Sequence, residues 1–75
     1  MNRRYSIEVR WSDEDQAYVV LLPEWQDRVY QPVTDGATYE EAARKGRDVL
    51  EMLIEQAQQL GEPLPEPRLY VPAPA

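Results

Sequence analysis

The sequence predicts an α+β fold: a three-stranded antiparallel sheet packed against one long helix. The order is β-β-β-α, with room for a short fourth strand after the helix. Three observations predict it. From Thr38 to Gly61 apolar residues recur in steps of three and four between two marked ends. From Tyr5 to Trp11 apolar and polar residues alternate. Ala17 to Leu22 and Arg28 to Thr34 are short, rich in β-branched and aromatic residues, and bounded by turn residues.

The helix is the best-specified element. Thr38 is a capping residue, and Glu41 three positions on predicts a capping box, reaching back to the Thr38 N–H. Glu40 and Glu41 put negative charge at the positive end of the helix dipole. Gly61 marks a left-handed stop, and Pro63 forbids continuation. The apolar stripe runs through Tyr39, Ala42, Ala43, Gly46, Val49, Leu50, Leu53, Ile54, Ala57 and Leu60. Its first half is small, which permits close approach to another backbone. Its second half supplies most of the burial.

The strands follow in order. Met1 to Arg4 is a basic lead expected to fray. Tyr5, Ile7, Val9 and Trp11 point one way, and Ser6, Glu8 and Arg10 the other. The polar run Ser12 to Gln16 is a hairpin connection without glycine. Ala17 to Leu22 is apolar on both faces, which predicts a central strand or one with a face in a subunit contact. Pro23 ends it, because proline cannot donate to the ladder. Pro23 to Asp27 reads as a connecting loop. Arg28 to Thr34 reads as the third strand, confined to an edge by Pro32. Asp35-Gly36-Ala37 is the turn into the helix. Five of the seven prolines follow Gly61, so residues after it should be extended, returning across the domain. Arg68 to Val71 is the candidate fourth strand. The core is expected at about residues 5 to 68, with residues 69 to 75 a proline-rich tail, all in one domain.

Composition narrows the function. The chain has 75 residues, no Cys and no His, so disulfides, Cys/His zinc sites and Ser-His-Asp or Cys-His catalysis are excluded. At this size a core is marginal, which predicts self-association, a dimer or larger. Fourteen acidic against eight basic residues give a net charge of −6, which argues against nucleic-acid binding and for a basic protein partner. Acidity as a solubility device is an equal reading. Without an apolar run of about 20 residues or a secretory leader, a soluble cytoplasmic protein is expected. The three glycines are too far apart to cradle a phosphate. Glu8, Asp13, Asp15, Glu51 and Glu55 are the only carboxylates to weigh for a magnesium-dependent nuclease, and their positions do not converge. No enzyme activity, catalytic residue, cofactor or metal is expected.

Trp25 is the aromatic whose place the pattern leaves open. It folds back over the sheet or helix, or it anchors a subunit or partner contact, where tryptophan is over-represented. With Asp27 and Tyr30 it forms the candidate contact set.

The residues now described resemble the HicB-like antitoxins. The match is carried by the Tyr5-led strand, the strand end Pro23-Glu24, the run VTDGATYEEA from Val33 to Ala42, and the close GEPLPEP from Gly61 to Pro67. It covers residues 5 to 68. The resemblance implies a partial ribonuclease H-like fold without ribonuclease activity, and a partner: HicA, a small basic toxin that cleaves mRNA. It implies masking of the toxin by protein–protein contact. Many members add a C-terminal DNA-binding segment. The proline-rich run after Gly61 has no such segment, so direct DNA binding is not expected. The alternative is a stand-alone homo-oligomeric structural or regulatory module with no toxin.

Overall fold

A computed structural model describes residues 4–73. Most of the basic lead at Met1 to Arg4, and the last two residues of the tail, lie outside the described residues. The elements are β1 (Glu8–Ser12), β2 (Ala17–Leu21), a 3-10 turn (Pro23–Trp25), β3 (Thr34–Gly36) and α1 (Tyr39–Leu60). The sheet has the order β1-β2-β3 with both pairings antiparallel. The α+β class and the sheet-plus-helix packing are those the sequence predicts.

Register follows from the pleat. Val9 pairs with Val20 and Trp11 with Tyr18, while Arg10 pairs with Val19 and Glu8 with Leu21. The first pair faces the helix, because Val20 and Ile7 lie against Gly46. The alternate residues Glu8, Arg10, Val19 and Leu21 therefore form the open face. The hairpin turn lacks glycine, so Gln16 takes the positive φ of 52°. Ser12 Oγ accepts the Asp15 N–H at 3.2 Å, and Gln16 Nε2 donates to the Asp13 carbonyl at 2.6 Å.

Both helix ends are built from the marked residues. Thr38 Oγ1 accepts the Glu41 N–H at 3.1 Å. Glu41 reaches one residue further back than predicted, accepting the Ala37 N–H at 3.0 Å. That bond, and the Lys45 ammonium one turn on, hold the Glu41 carboxyl below its ordinary value. Gly61 sits at φ 69°, ψ 20°. Its N–H goes to Gln58 O and that of Glu62 to Ala57 O, the two bonds of a Schellman close. Ala42, Gly46, Leu50, Ile54 and Ala57 are the buried positions of α1. Tyr39 and Leu60, at the ends of the stripe, are exposed, although Tyr39 meets Tyr18 of β2 edge-to-face with centroids 5.7 Å apart. A Cβ on Gly46 would lie 2.7 Å from Val20 Cγ1, so the small half of the stripe is where helix and sheet come closest.

The third strand corrects the prediction. It is Thr34–Gly36, not Arg28 to Thr34. The cause is local. Pro32 has no N–H to give, and Gln31 supplies its side-chain amide instead. Gln31 Nε2 donates to Leu22 O at 2.7 Å, and Gln31 Oε1 accepts the Leu22 N–H at 2.8 Å. The amide thus serves β2 where a third strand would have paired, and the backbone ladder resumes only with Val33 N–H to Val20 O. What reads as the turn into the helix is the strand. Gly36 is required there: a Cβ would lie 2.5 Å from the Ala42 nitrogen. The first strand also begins later than Tyr5, and among the described residues Arg68 to Val71 forms no strand.

Candidate protein-binding surface

Because Pro23 cannot extend the ladder, the chain leaves β2 through the 3-10 turn, closed by Trp25 N–H to Leu22 O at 2.9 Å. The turn aims two side chains inward. Trp25 joins Leu22, Leu50 and Ile54 in the core and is only 2% exposed. It meets Tyr5 edge-to-face with centroids 4.6 Å apart. Trp25 as a surface anchor is therefore corrected: its indole is a core residue in the folded chain. A loop tryptophan among polar neighbours has no periodicity to show which way it points.

Glu24, beside it, is the one buried charged residue among those described. Its carboxylate accepts the Ser6 N–H at 3.1 and 3.2 Å, the Ser6 hydroxyl at 3.2 Å and the Arg68 N–H at 2.8 Å. It thereby replaces the strand that Pro23 cannot provide opposite Ser6, and ties the two ends of the fold together. Tyr5 donates its hydroxyl to Pro65 O at 2.6 Å, and Arg28 Nη1 donates to Pro63 O at 2.7 Å. Leu64 packs onto the core. The proline-rich run is thus the extended return across the domain that its composition predicts.

The loop between this clamp and β3 has a rigid base. Arg28 and Val29 N–H both go to Trp25 O, and Gln31 holds Leu22. On that base Asp27 and Tyr30 stand outward, and Tyr30 is 98% exposed. Residues Gln26 to Tyr30 line a shallow groove. Of the three candidate contact residues, Asp27 and Tyr30 share the surface and Trp25 is in the core. Sequence reasoning missed Glu24 and Gln31. Their only signals are a carboxylate directly after a strand-ending proline and a polar side chain directly before another.

The carboxylates weighed for a metal site are engaged one at a time. Glu8 pairs with Arg10 across the open face. Asp13 accepts the Trp11 Nε1–H at 3.2 Å, and Asp15 is bonded within the turn. Glu51 meets Arg47, and Glu55 accepts from Gln59. Among the described residues no group of three His, Cys, Asp or Glu is placed to hold a metal ion. Nor is any helix among them long and apolar enough to cross a membrane.

The fold and this surface define a small α+β domain whose distinctive exposed chemistry is a loop-borne carboxylate and tyrosine on a pinned base. Compared with models of protein families, with curated proteins and with solved structures, the chain matches none.

Proposed function

We propose that the protein is a binding module of the HicB-like antitoxin kind, which masks a small basic mRNA-cleaving toxin by protein–protein contact. The observation that carries this reading is Tyr30, 98% exposed beside Asp27 on a loop held by Gln31 and Trp25. A protruding aromatic on a held loop backbone spares the loop's ordering entropy on binding and suits a partner's pocket. The net charge of −6 supports a basic partner, drawn by long-range attraction. The resemblance of residues 5 to 68 to HicB-like antitoxins supports the partner's class. A stand-alone homo-oligomeric module is the second reading, favoured by the exposed apolar run Leu69, Tyr70 and Val71.

The test has two stages. The tagged chain is recovered from its native cells, and a co-purifying small basic protein is identified by mass spectrometry. That protein is then assayed for RNA cleavage with and without the chain. One near-stoichiometric partner, with cleavage suppressed by the chain, supports the proposal. Tyr30→Ala should weaken that complex by about 2 kcal/mol, roughly thirtyfold. Recovery of the chain alone, or cleavage unaffected by it, would overturn the antitoxin reading.

A further inference from the structure

Among the described residues two features lack partners and complement each other. β1 pairs with β2 on one side, and among the described residues nothing pairs with its outer edge. Open edges are usually blunted by proline, charged side chains or a bulge; Glu8–Ser12 has no proline and no bulge, and its two charges, Glu8 and Arg10, pair with each other. The second feature is Leu69-Tyr70-Val71, three consecutive large apolar residues that are 58, 86 and 79% exposed. A run of that kind on a surface calls for a function or a cover. It is strand-forming in composition and follows a tethered segment: Arg68 N–H is bound to Glu24, and Tyr5 holds Pro65. The tether fixes the point, beside Ser6, from which the run leaves its own chain, which lowers the entropic cost of pairing with another edge.

We infer that Arg68 to Val71 of one copy adds as an antiparallel strand to the β1 edge of a second copy, and that the exchange is reciprocal. The occupant is a second copy because one chain carries both the donor and the acceptor. A two-fold relation then satisfies both edges at once and closes the assembly. The alternation of the two segments sets the register. Leu69 lies opposite Trp11 and Val71 opposite Val9, on the apolar side, where Trp11 is 50% exposed. Tyr70 lies opposite Arg10 on the open face. Arg68 then reaches Ser12 and the acidic turn Asp13-Glu14-Asp15 of the other copy, which is the charge match. A slip of two residues instead sets Arg68 against Arg10, a like-charge pair. This inference does not depend on a toxin partner.

The chain has no cysteine, so disulfide trapping has no background. Arg10→Cys and Tyr70→Cys proteins, made separately, mixed and oxidised, should form a mixed crosslinked dimer in high yield. The double variant should also crosslink between chains. Light scattering of the unmodified chain should give twice the 8.7 kDa of one chain, and L69D/V71D should give a monomer of unchanged fold by circular dichroism. These two side chains are exposed in the single chain, so their change leaves its core intact. A monomer at every concentration, a dimer that survives L69D/V71D, or crosslinking only within one chain would each overturn the inference.

Discussion

Replacing Glu24 by alanine tests the account of how the ends of the chain are held. The Ser6 N–H and the Arg68 N–H lose their acceptor, and the Ser6 hydroxyl keeps only its longer bond to the Arg68 carbonyl at 3.4 Å. A hydrogen bond to a charged group contributes about 1.5–3 kcal/mol. Arg68 is exposed, so water replaces much of its bond, whereas Ser6 is half-buried beside the core. The expected loss is about 2–4 kcal/mol, a large part of the roughly 5–15 kcal/mol by which small domains are stable. Urea unfolding at neutral pH measures it. In a domain of this size it corresponds to a fall in Tm of about 10–25 °C. Glu24→Gln keeps the shape and one acceptor oxygen but turns an NH2 toward the donors, so its loss should be about half as large. If both variants stay within about 0.5 kcal/mol of the parent, the carboxylate is not what ties Ser6 to Arg68.

Three more predictions concern packing and charge. Trp25→Ala should cost about 3–5 kcal/mol in the same assay, because it empties the centre of the core; a loss under about 1 kcal/mol would return Trp25 to the surface. Gly46→Ala gains about 1 kcal/mol of helix propensity but sets a methyl 2.7 Å from fully buried Val20, so a net loss of about 1–2 kcal/mol is expected, and a more stable variant would contradict the close approach. The folded-state pKa of Glu41 is depressed by the Ala37 N–H and by Lys45, so its contribution is present above the ordinary value of 4.5 and lost as pH falls through the folded value. The stability gap between the parent and Glu41→Gln should accordingly close on acidification below 4.5, and a gap independent of pH would show that the bond does not favour the charged form.

Most of the fold was legible in the sequence, and the failures share one cause. The helix was readable because its caps and its stripe are short-range signals that agree with one another. The hairpin was readable from alternation and a polar break. The third strand was misplaced because Arg28 to Val33 has the composition of a strand, yet Gln31 satisfies β2 with a side chain and Pro32 has no donor. Of the candidate contact residues, Asp27 and Tyr30 are at the surface, while Trp25 is not.

By itself the sequence determined the helix from Thr38 to Gly61, the first hairpin, the extended return after Pro63 and the lack of Cys and His chemistry. Each depends on residues within a few positions of one another, or on residues that are simply absent. Only the tertiary structure decided that Glu24 bridges Ser6 and Arg68, that Trp25 turns inward and that Tyr30 turns out. These contacts join positions 18 and 44 residues apart, or depend on which side of a tight turn faces the core, and no local pattern encodes either.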